Sequence, residues 1–128
     1  MTVDKRVLSA LNKAHDTIDD AEANVAEERL LAAVNRAYYA IFYAINALLF
    51  SEDITTKTHT GAHTQFNDRF VKTGLFSKTD SQLVKNAFNT RQKTDYDFEI
   101  DMSSDEAHEL VQRARAFVTT VDQYFSRR

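Results

Sequence analysis

No proline and only two glycines, Gly61 and Gly74, interrupt the 128 residues of this chain. These two residue types are the strongest local breakers of a helix, glycine costing about 1 kcal/mol relative to alanine and proline about 3. Their scarcity leaves the apolar pattern to run on, and it recurs at three- and four-residue spacing, the period of a helix face. A first helix is predicted over about residues 4–24, with Val7, Leu8, Leu11, Ala14, Ile18 and Ala21 on one stripe. A second runs from near Glu28 to about Phe50, its stripe being Leu31, Val34, Tyr38, Ile41, Ile45 and Leu48. Tyr39, Ala40, Tyr43 and Ala47 make its other side apolar as well, as expected of a helix central to a bundle or buried at a dimer seam.

Three shorter patterns follow. The third helix covers about residues 60–73, with Ala62, Phe66, Phe70 and Val71, and Gly74 stops it. The fourth starts at the sequence Thr79-Asp80-Ser81-Gln82, which reads as a capping box, and runs to about Tyr96. An acidic loop from Asp97 to Met102 leads to a second box, Ser103 to Glu106, and a fifth helix with Leu110, Val111, Ala114, Phe117, Val118, Val121 and Phe125 on one face. The expectation is an all-α, antiparallel up-and-down bundle of four to five helices, forming one domain over residues 1–128.

Several function classes fall away on composition. There is no cysteine, hence no disulfide and no thiolate chemistry. No apolar run approaches the ~20 residues that span a bilayer, and no secretory h-region opens the chain, so a cytoplasmic protein without a membrane partner is expected. His59 and His63 stand four apart but have no flanking carboxylate, and HExxH is absent, so no metal and no cofactor are implied. His15 and His108 sit at the margins of their stripes. Neither a GxSxG elbow nor a glycine-rich phosphate loop occurs.

Charge is uneven. Residues 54–94 carry a net +5, with Lys57, Lys85 and Arg91 among seven basic side chains, while the flanking segments are each −4. Such a patch either attracts a polyanion or is an ordinary solvated face. Two polar-aromatic stripes stand out against this background. On the second helix Arg36, Tyr39 and Tyr43 share a side with Asn35 and Asn46, a combination that stacks on bases or builds interfaces. On the fourth, Arg91 occupies the stripe of Val84, Ala87 and Phe88, with Asp95 one turn on and Tyr96 next. An inward arginine must be paired, because an unpaired buried charge costs several kcal/mol or more. It is therefore a structural lock or a site.

Three blocks taken in order resemble one family: Asn35-Arg36-Ala37-Tyr38-Tyr39-Ala40 with FYAINALL, then Lys57-Thr58-His59-Thr60-Gly61 with FVKTG at 70–74, then Arg91-Gln92-Lys93-Thr94-Asp95-Tyr96. The chain resembles small stand-alone HEPN domains, helical nucleotide-binding domains of prokaryotes and eukaryotes, over about residues 5–126. The resemblance implies a dimerising bundle, often a toxin that cleaves RNA without a metal, paired with a nucleotidyltransferase-type antitoxin. The family's motif is an arginine followed after four to six residues by a histidine. Arg91 matches the arginine, but Tyr96, Asp97 and Phe98 fill the histidine's positions. An aspartate is too acidic, and a tyrosine too weak an acid, to exchange protons readily near pH 7.

The expected function is therefore an RNA- or nucleotide-binding HEPN component. Arg91 would contact phosphate or lock the cleft, Asp95 would orient it, and Tyr96 would donate or stack. Arg36, Tyr39, Tyr43 and Lys57 would extend the surface. Two alternatives stay open. One is an active ribonuclease in which His59 or His63 supplies the missing proton carrier, if the start of the third helix packs near the end of the fourth. The other is a homodimeric protein-interaction module with no nucleotide role.

Overall fold

A computed structural model describes residues 4–98 and 101–127 and contains five α-helices within them. The centre of the acidic loop, at 99–100, lies outside the described residues. Helix α1 spans Lys5–Ala26, α2 Leu30–Ser51, α3 His59–Phe66, α4 Lys78–Tyr96 and α5 Ser104–Ser126, and a single π-helical turn, Asn67–Val71, continues α3. The expected antiparallel up-and-down bundle is what forms.

Helix α2 is its centre, with half of its residues buried. Helix α1 packs along it as the other arm of a hairpin, α5 lies against both, and α3 and α4 cover the remaining side. The core runs from Ala14 and Ile18 of α1 through Val34, Tyr38, Ile41 and Ile45 of α2 to Phe117 and Val121 of α5. Arg115 of α5 fastens its outer face to Asp19 and Glu22 of α1.

Helix ends differ from the sequence pattern where backbone geometry decides. Helix α2 begins at Leu30 because Glu28 takes a left-handed conformation (φ 59°) in the tight turn after α1. The box that starts α4 is Ser77 and Asp80, not Thr79 and Gln82. Ser77 Oγ accepts from the Asp80 N–H at 3.1 Å, and the Asp80 carboxylate accepts from the Ser77 N–H at 3.2 Å. Helix α3 starts at His59, with Thr58 Oγ1 accepting from the Gly61 N–H at 2.9 Å. A Cβ on Gly61 would lie 2.9 Å from that same Oγ1, so the cap needs a glycine there. The α-helix ends at Phe66, earlier than expected, and Gly74 (φ 84°) turns the chain only after the π-helical segment. Leu8 and Leu31 are also corrections: both sit on predicted apolar stripes, yet each is 46% exposed, while the neighbouring Val7, Ala10, Ala33 and Val34 carry the buried face.

Candidate functional site

On α4 the buried face consists of Leu83, Val84, Ala87 and Arg91, so the arginine does occupy the core-facing stripe. It is only 8% exposed. Its guanidinium carbon sits 5.2 Å from the centre of the Tyr38 ring, 5.6 Å from Tyr39 and 5.5 Å from Phe88. Nη1 donates to Asp95 Oδ2 at 2.9 Å, whereas Nε is buried without a hydrogen-bond partner. Desolvating a guanidinium costs several kcal/mol. One carboxylate and three ring faces offset this, each ring contributing about 0.5–2 kcal/mol according to how dry it is. The ion pair joins residues four apart on one helix, so helical geometry alone sets its approach.

The Tyr38 ring that carries Arg91 also organises two histidines. Its hydroxyl is 2.6 Å from His59 Nδ1 and 3.0 Å from His63 Nε2. His59 and His63 are one turn apart on α3, and the Thr58 cap fixes where that helix begins. With a single hydrogen to give, Tyr38 donates to one neutral imidazole and accepts from the N–H of the other, making a continuous three-group chain. His59 also stacks on Phe42 with ring centres 4.3 Å apart, and His63 meets the Phe88 ring at 5.0 Å.

This environment keeps both imidazoles neutral. Burial lowers the His63 pKa to about 4, and His59 beside it adds to the effect. Burial also lowers His59, with the Arg91 charge pushing the same way. Tyr38 is pushed up by burial, against the pull of Arg91. The cluster therefore presents a fixed cation, an unionised phenol and two unprotonated imidazoles at pH 7.

Other expected site residues divide. Tyr39 touches both stripes, because Arg36 lies over its ring at 5.3 Å and Arg91 at 5.6 Å. Tyr43 follows at 6.0 Å from Tyr39, with Lys13 of α1 over its face. Arg36 also donates to the Asn35 side chain. Lys57 is exposed just ahead of the α3 cap. Tyr96 stands apart: it is 75% exposed at the last residue of α4 and joins none of the ring contacts around Arg91. Tyr38, Phe42 and Phe88 are the residues that sequence reasoning missed. The one available signal was Tyr38 itself, since a tyrosine on a fully apolar stripe needs a partner for its hydroxyl.

The family model described as "HEPN domain" matches residues 7–124. The chain belongs to the HEPN family. Among similar proteins, one from Thermotoga maritima named "UPF0332 protein" is 32% identical over 87% of this chain and 84% of its own. Two from Methanocaldococcus jannaschii carry the name "Putative toxin". One is 32% identical over 94% of this chain and 82% of its own, the other 31% over 81% and 82%. Within the matched residues, Arg91 of α4 and the two histidines of α3 meet on the Tyr38 side chain.

Proposed function

We propose that this HEPN domain is the RNA-engaging component of a toxin–antitoxin-like pair whose partner is of the nucleotidyltransferase type. The observation that carries this reading is the Arg91 cluster. One carboxylate and three ring faces hold the guanidinium, and its buried Nε has no hydrogen-bond partner within the protein. Single-stranded RNA offers the complementary chemistry, anionic phosphate for the cation and base faces for the rings. The names of the two archaeal relatives support the toxin association. The half-buried Arg36–Tyr39–Tyr43 face of α2 is where we seat a second copy, since tyrosine and arginine are the residues such interfaces enrich.

The test is fluorescence anisotropy of labelled single-stranded RNA across a salt series. Each neutralised phosphate releases counterions, so affinity is expected to fall steeply as salt rises and to weaken in His59→Ala and Arg91→Lys. Absent or salt-independent binding rejects this reading in favour of a protein-interaction module.

A second reading is favoured by the Tyr38 bridge: metal-independent cleavage with His59 in place of the motif histidine. If His59 Nδ1–H donates to Tyr38 and Tyr38 donates to His63, the lone pair of His59 Nε2 is left to act as a base. It would take the proton of a ribose 2′-hydroxyl, and that oxygen would attack the adjacent phosphorus. The bond to the 5′-oxygen breaks, a 2′,3′-cyclic phosphate forms, and water gives a proton to the departing 5′-oxygen, which leaves as a hydroxyl. Arg91 would stabilise charge on the phosphoryl oxygens. Cyclic-phosphate ends that vanish in His59→Ala are expected, and no cleavage across a broad RNA panel rejects it.

A further inference from the structure

Beyond the Arg91 cluster, α3 and α4 enclose a cavity of about 280 Å³ that shares two walls with it, His63 and Phe88. Ligand sites run from about 300 Å³ upward, so this one matches a small planar group rather than a whole dinucleotide. Every residue lining it comes from the 54–94 segment with its net +5 charge, and no carboxylate is among them. Phe88 supplies an aromatic wall, and Lys85 and Asn89 stand at its exposed edge.

Two of the polar lining side chains have donors free for a ligand. Lys85 carries only N–H groups. Asn67 has its oxygen engaged, because Ser81 Oγ donates to Asn67 Oδ1 at 2.6 Å, which leaves the amide N–H groups for a ligand. Asn67 also begins the π-helical turn, a distortion that occurs disproportionately at functional sites. A ring with carbonyl oxygens on its edge suits such a lining, and one bearing an amino group does not.

We propose that this cavity holds a uracil base of single-stranded RNA whose adjoining phosphate lies at the Arg91–His59 cluster. The assignment rests on the RNA reading above and adds a sequence preference to it. His63 divides the two compartments, with Nε2 on Tyr38 and its ring bordering the base.

Short homo-oligonucleotides of uridine and cytidine make the test, since the two bases exchange a carbonyl for an amino group on one ring. The wild-type chain is expected to bind the uridine oligomer roughly tenfold more tightly, the scale of one well-placed base contact. Asn67→Asp keeps the acceptor for Ser81 and replaces the amide donors with a carboxylate, so the preference should disappear or reverse. Asn89→Ala, on the exposed edge, should narrow it without changing helical content by circular dichroism. Equal binding of both oligomers, a cytidine preference, or a uridine preference that survives Asn67→Asp overturns this proposal alone. No binding of either oligomer overturns the RNA reading together with it.

Discussion

Acidification from pH 7 to pH 5 should destabilise this protein through His63, and the expected size follows from its surroundings. An unfolded histidine takes a proton near pH 6.5, while the folded His63 resists until about pH 4. Its folded pKa is lowered, so between those values the unfolded state binds more protons, and stability falls as pH falls. The contribution is complete above pH 6.5 and is lost progressively down to about pH 4. By pH 5 the window crossed is about 1.5 pH units, close to 2 kcal/mol for a dry site. Partial solvent contact of the ring reduces that to about 1–2 kcal/mol. His59 is lowered as well and adds with the same sign. Urea unfolding followed by circular dichroism at intervals from pH 7 to pH 5 measures the slope for wild type and for His63→Gln. The variant keeps a polar group toward Tyr38 but cannot titrate, so its pH dependence should be shallower by roughly that amount. Parallel curves would refute the burial argument for His63.

Three further substitutions have defined outcomes, two at Arg91 and one at Tyr96. Arg91→Ala should cost about 2–4 kcal/mol in thermal or urea unfolding, because it empties the space between three rings and leaves Asp95 unpaired. Arg91→Lys should recover less than half of this, since an ammonium restores charge but not a planar group stacked on rings. Tyr96→Ala should change stability by no more than about 0.5 kcal/mol, as its side chain is solvated, and a larger loss would mean that it packs in the assembled protein.

Arg91 was legible because its register is: Val84, Ala87 and Phe88 define a core stripe, and the next turn lands on 91 with Asp95 in reach. Other features depended on contacts that no local pattern encodes. Tyr38 looks like one more core residue on α2, and its histidine partners lie 21 and 25 residues away. Only the crossing of α3 over α2 brings them to its hydroxyl. The α4 boundary was ambiguous because Ser77-x-x-Asp80 and Thr79-x-x-Gln82 both satisfy the capping pattern, and the extended backbone at Ser77 selects the first. Leu31 fits the α2 stripe by spacing, but Ala33 and Val34 take the buried face at that turn and leave it 46% exposed. The π-helical turn at Asn67 left no signature in the spacing at all.

Whether Arg91 can reach a phosphate turns on how tightly Asp95 holds it. The carboxylate lies in the last turn of α4 with 32% of its side chain exposed, so water weakens its side of the pair. An exposed pair four apart on a helix is worth about 0.3–0.5 kcal/mol, and the drier guanidinium raises that to about 1 kcal/mol. A phosphate hydrogen-bonded to the same group gains about 1.5–3 kcal/mol, enough to displace Asp95 or share the arginine with it. On the RNA reading proposed above, Asp95 would hold the guanidinium in position until an anion arrives, and its own negative charge would oppose the newcomer. Asp95→Asn keeps an oxygen for Nη1 and removes that repulsion, so stability should drop by less than about 1 kcal/mol. RNA affinity at low salt should rise about tenfold, corresponding to about 1.4 kcal/mol, and the gain should shrink at high salt as screening removes the repulsion that the substitution relieves. Weaker RNA binding by Asp95→Asn would reverse the assignment, making the carboxylate the group that aims Arg91 at its ligand.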